Sequence, residues 1–130
     1  MRCKLQVICS FKSTANYPAL ESKVFLLGLQ IGAESCDADS LLFFCDIDML
    51  FTAEFFKRLL NNVQPGTAYY PIIFSQYDPD RVGRPKTHFT VNEMTGFWRE
   101  YGYGMVALYK QDFDKAGGFD VKIEGKFFNI

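Results

Sequence analysis

Leu41, Leu42, Phe43, Phe44 and Cys45 form an unbroken apolar run that ends in two carboxylates, Asp46 and Asp48, with only Ile47 between them. No other stretch of the chain limits its fold so strongly. A run of this length and composition reads as a strand over residues 41–45 buried on both faces. Burying a charge is costly unless it is paired or bound to a metal, so the strand has to deliver Asp46 and Asp48 to its C-terminal edge. Open α/β sheets bind ligands at that edge. Hard divalent cations take carboxylate oxygens, commonly one or two from protein together with the phosphates of a substrate. Asp46 and Asp48 therefore point to a metal-diphosphate site, and a plain turn stays open beside that reading. A third reading also stays open. In an extended segment the two side chains share a face about 7 Å apart, within the span of an inverting glycosidase pair.

The surrounding chain supports an α/β arrangement. Residues 4–10 read as a strand, and Pro18 opens a helix with Leu20, Val24, Leu27 and Ile31 at helical spacing and Gly32 as its C-terminal cap. After Asp48, Thr52 caps a helix over residues 53–61 whose inner face is Phe55, Phe56, Leu59 and Leu60. A turn at Gln64, Pro65 and Gly66 leads to a second apolar strand, residues 68–74. Residues 75–87 hold two prolines, a glycine and five charged residues and read as a surface loop. Strands follow at 88–91 and 104–109, then a helix at 111–116 stopped by Gly117 and Gly118. The expectation is one partial domain over residues 1–130, with a mixed sheet and flanking helices.

Composition narrows the function. The 130 residues carry 14 basic and 15 acidic side chains, a net charge of -1, which gives no electrostatic reason to expect nucleic acid or an anionic membrane surface as partner. No stretch approaches the ~18 apolar residues that span a bilayer. Cys3, Cys9, Cys36 and Cys45 match no zinc spacing, and Cys45, inside the apolar run, reads as a buried free thiol.

Between Gly96 and Gly104, three glycines alternate with Phe97, Trp98, Tyr101 and Tyr103. Glycines let backbone approach a ligand and rings supply an apolar wall, a combination suited to sugar faces, or equally to an aromatic hairpin in a core. His88, the only histidine, sits in an alternating segment, and Asp78 and Asp80 flank Pro79 in a turn-like setting. Neither setting marks a ligand site.

Four motifs occur together in order: Phe43-Phe44-Cys45-Asp46-Ile47-Asp48; Tyr70-Pro71-Ile72-Ile73-Phe74-Ser75-Gln76-Tyr77-Asp78-Pro79; Thr95-Gly96-Phe97-Trp98-Arg99 with Tyr101-Gly102-Tyr103-Gly104; and Gly117-Gly118-Phe119-Asp120. They resemble the C-terminal glycosyltransferase domain of chondroitin synthases and chondroitin N-acetylgalactosaminyltransferases, over residues 22–125. The resemblance implies a GT-A fold and inverting transfer of N-acetylgalactosamine from UDP-GalNAc, or a related UDP-sugar, to a glucuronic-acid-ended chondroitin oligosaccharide. By resemblance Asp46 and Asp48 hold Mn²⁺ or another divalent cation. Phe97, Trp98, Gly102, Gly104 and Lys23 shape the donor and acceptor pocket, Lys23 standing where the family usually has arginine. The resemblance also implies the Golgi lumen, as part of a type II membrane protein, and a chondroitin synthase paralogue as possible partner. The family continues to a Trp-Gly-x-Glu-Asp segment bearing the catalytic base, whereas residues 126–130 diverge; Glu124 is the residue nearest that base. The expectation from this departure is an impaired fragment, or in the alternative a non-catalytic stabiliser of an active synthase.

Overall fold

The computed structural model describes residues 4–10, 18–81, 90–102 and 104–122, with the side chains at 10 and 18–24 excepted. In chain order the elements are β1 (Leu5–Ser10), α1 (Pro18–Glu34), β2 (Leu41–Asp46), α2 (Ala53–Asn62), β3 (Ile73–Gln76), β4 (Gly96–Arg99), β5 (Val106–Tyr109) and α3 (Lys110–Lys115). They divide into two compact units, one of Met1–Tyr69 with Gly104–Ile130 and one of Tyr70–Tyr103.

In the first unit β2 is the central strand of a mixed sheet ordered β1-β2-β5, parallel to β1 and antiparallel to β5. Having neighbours on both edges explains why its residues can be apolar without interruption: the ladders to β1 and β5 take up its backbone polar groups over Leu41–Phe44, while Leu41, Leu42, Phe43, Phe44 and Cys45 are buried. Phe44 packs against Phe113 and Phe119 at ring-centroid distances of 5.3 and 4.9 Å, in a core that includes Ile8, Leu29, Ala33 and Leu42. On the other face Phe43 meets Phe55 of α2 at 5.4 Å and Phe51 at 5.5 Å.

Thr52 caps α2 as its sequence indicates: its hydroxyl accepts the Phe55 N–H at 3.2 Å. Leu59 is fully buried on the inner face, but Leu60 is half-exposed. Gly117 and Gly118 stop α3 in left-handed conformation, φ 89° and 72°, with the Gly118 N–H donating to the Phe113 carbonyl at 3.0 Å.

The packing stripe of α1 differs from the expected one. Leu27 and Ile31 are exposed, and the buried side is Leu29 and Ala33, with Phe25 packed against the same cluster. The helix is apolar around much of its girth, so spacing alone admits more than one stripe, and contact with β1 selects among them. Gly32 does not end the helix, which runs on to Glu34. A Cβ at Gly32 would stand 2.8 Å from Ile8 Cγ2, so this glycine permits close approach of α1 to β1.

The strand expected over residues 68–74 is two separate pairings. Tyr69 bridges Ala107 in the first unit, and Ile73–Gln76 pairs antiparallel with Gly96–Arg99 in the second. Pro71 lies between them, buried and unable to donate to a ladder; its carbonyl accepts the Gly102 N–H at 2.8 Å. Of the strand expected at 88–91, residues 88 and 89 lie outside the described residues, and Thr90 and Val91 are not in a strand.

Candidate metal and diphosphate site

β2 delivers its two carboxylates as the apolar run requires. Asp46 is the half-buried last residue of the strand, and Ile47 and exposed Asp48 form the turn beyond it. Asp46 stands opposite Ser10 in the parallel register with β1. On its other side β5 pairs Phe44 with Val106, and continuing that register by two residues places Gly104 across from Asp46. Gly104 has φ 87°, and a Cβ there would lie 3.5 Å from Asp46 Oδ2 and 3.6 Å from Oδ1. Only glycine takes this backbone conformation readily, so the chain passes beside the carboxylate with no side chain at that position.

Neighbouring chemistry leaves oxygen as the donor type. The Cys45 thiol is pushed up to about 12, first by burial, then by its hydrogen bond and charge interaction with Cys9, then by the charge of Asp46. It stays neutral near pH 7 and offers no thiolate to a metal. Two carboxylates suit a hard cation that completes its shell with phosphate oxygens and water. Among the described residues no group of three or more His, Cys, Asp and Glu side chains converges on one metal position.

The aromatic stretch is built differently. β3 and β4 form a two-stranded ribbon in which Phe74 meets Trp98 at 5.2 Å. Phe97 lies 5.9 Å from Tyr77 and under the Arg99 guanidinium at 5.3 Å. Trp98 is 63% and Phe97 45% exposed, so these rings are an open surface rather than the interior of a core. Gly96 starts β4 because a Cβ there would collide with the Ser75 carbonyl and the Phe74 ring. Gly102 is buried, tied to Pro71.

Lys23 falls in α1, its side chain outside the described set, and His88, Tyr103 and Glu124 lie outside the described residues. Asp78 and Asp80 form a local turn in which Asp78 Oδ1 accepts the Asp80 N–H at 3.0 Å. Two relationships escaped sequence reasoning: Gly104 against Asp46, and Cys9 beside Cys45. Each depends on strand register, and the aligned apolar runs 5–9 and 41–45 were the available signal for the second.

A family model described as chondroitin N-acetylgalactosaminyltransferase matches residues 8–127. The chain belongs to this family. It is 48% identical to human chondroitin sulfate synthase 3 over 104 residues, 76% of this chain and 12% of that protein. Identity to human chondroitin sulfate N-acetylgalactosaminyltransferase 1 is 42% over 107 residues, 75% of this chain and 20% of the relative. A more distant relative is mouse N-acetyl-beta-glucosaminyl-glycoprotein 4-beta-N-acetylgalactosaminyltransferase 1, 27% identical over 97 residues, 73% of this chain and 8% of that protein. This chondroitin N-acetylgalactosaminyltransferase family chain thus spans 12% to 20% of the length of its chondroitin-pathway relatives. No solved structure matches it.

Proposed function

We propose that this chain forms the donor-binding part of a GT-A glycosyltransferase of chondroitin biosynthesis, using UDP-GalNAc as donor and glucuronic-acid-ended chondroitin as acceptor. The observation that carries the reading is the placement of Asp46 and Asp48 at the C-terminal end of a buried apolar strand. Membership of the family supplies the substrate class.

In this reading Asp46 and Asp48 hold a divalent cation, with Mn²⁺ the expected ion. A cation bound there would offset the negative charge that develops on the departing UDP diphosphate. Asp46, fixed by the β2 ladder, sets where the diphosphate lies; Asp48, on the turn, adjusts to it. Within the second unit, Phe97 and Trp98 offer flat apolar faces to sugar rings; the roles of Gly102 and Lys23 rest on the family resemblance. The acceptor hydroxyl must also lose a proton to a base, a role that no described residue is given.

No helix among the described residues is long and apolar enough to cross a membrane. We assign the Golgi lumen as the working compartment, on the family resemblance.

Calorimetric titration of the chain with UDP-GalNAc, in the presence of Mn²⁺ and again with excess EDTA, tests the reading. Binding that requires Mn²⁺ is expected; equal binding with EDTA contradicts a metal-diphosphate site. Radiolabelled UDP-GalNAc with a chondroitin oligosaccharide then reports whether bound donor goes on to transfer.

A further inference from the structure

Cys9 and Cys45 occupy matching positions in the parallel register of β1 and β2, one pair before Ser10 and Asp46. Their sulfurs are 3.0 Å apart. Cys45 is buried and Cys9 exposed. Adjacent strands run about 4.8 Å apart, within the Cα separation that a disulfide spans without backbone movement, about 4.4–6.8 Å. Cys36 does not compete for either thiol, since its Sγ donates locally to the Gly32 carbonyl at 3.3 Å. An exposed position on β1 gains little from a small hydrophobe, so burial does not account for a cysteine at Cys9.

We propose that Cys9 and Cys45 are an oxidisable pair that closes to a disulfide stapling β1 to β2 immediately before the Asp46 carboxylate. The oxidant is a small-molecule disulfide of the glutathione class. The accessible Cys9, as thiolate, attacks one sulfur of oxidised glutathione, forming a mixed disulfide and releasing one glutathione thiolate. Cys45 attacks the Cys9 sulfur, which forms the Cys9–Cys45 bond and expels the second glutathione, whose sulfur takes up the Cys45 proton. Two protein thiols lose two electrons and two protons, and one glutathione disulfide becomes two thiols. The two cysteines are 36 positions apart in sequence, so the bond closes a long loop and removes conformational freedom from the unfolded chain. It also fixes the end of β2 against β1 where Asp46 departs. The pairing rests on register and sulfur distance alone and holds whether or not a metal binds.

The test is peptide mapping of the reduced, folded chain after incubation with oxidised glutathione, acid quenching and alkylation of the remaining thiols. The expected result is one linked peptide pair joining Cys9 to Cys45, absent from the Cys9→Ser chain, with Cys36 alkylated in both. A persistent glutathione adduct on Cys9, linkage of Cys9 or Cys45 to Cys3 or Cys36, or alkylation of both Cys9 and Cys45 after full exposure to oxidant would overturn it.

Discussion

β2 and β4 each carry residues proposed to meet a ligand, and they are supported in opposite ways. β2 has a strand on each side and aromatic packing on both faces, so Asp46 leaves a frame in which Phe43 and Phe44 are 0% and 1% exposed. β4 pairs with β3 alone and presents Trp98 and Phe97 to solvent. A cation tolerates little error in the position of its ligands, whereas stacking on a sugar face tolerates sliding. On the proposed function, the better-supported frame lies under the carboxylates and the more exposed ribbon under the rings.

Large-to-small substitution breaks the contrast most visibly. Phe44→Ala removes the ring that meets Phe113 and Phe119 and is expected to cost about 3–5 kcal/mol, enough to unfold a marginal domain. Trp98→Ala, at an exposed site, is expected to cost less than ~1 kcal/mol. Chemical denaturation of the two variants measures the difference; comparable losses would remove the distinction between frame and platform.

Gly96→Ala should have the next largest effect, because its Cβ would meet backbone rather than a movable side chain. A loss of roughly 1–3 kcal/mol is expected, confined to the β3–β4 ribbon. Amide exchange should accelerate at Ile73–Gln76 and leave Leu41–Asp46 protected. Thr52→Ala should cost about 1 kcal/mol by removing the hydroxyl that shares the Phe55 N–H with the Thr52 carbonyl, with faster exchange in the first turn of α2, directly after the Asp48 turn. Uniform acceleration over the whole chain in either variant would count against independent support of the two regions.

The frame was more legible in the sequence than the platform. The apolar run of β2, the Thr52 cap and the Gly117–Gly118 stop are set by local chemistry, and the structure has each of them. What was not legible depends on distant partners. Leu29 and Ala33 rather than Leu27 and Ile31 became the inner side of α1 because Ile8 lies against Gly32. Residues 68–74 divided at Pro71 because Tyr69 and Ile73 pair with different strands. At the candidate site, the position of Asp46 and Asp48 at the end of the strand was readable from the cost of burying charge, but the closeness of Gly104 to Asp46 follows from the β2–β5 register, which no local pattern encodes.

The central claim is that Asp46 and Asp48 bind a divalent cation on which the UDP diphosphate rests. Water-proton relaxation with Mn²⁺, recorded with and without UDP-GalNAc for the parent chain, Asp46→Asn and Asp48→Asn, tests it most directly. These near-isosteric changes should leave the melting temperature close to that of the parent. The account predicts at least about a tenfold weaker Mn²⁺–UDP-GalNAc complex for Asp46→Asn, a loss of about 1.4 kcal/mol or more, and a smaller loss for Asp48→Asn. Parent-like Mn²⁺ binding in both folded variants would contradict it.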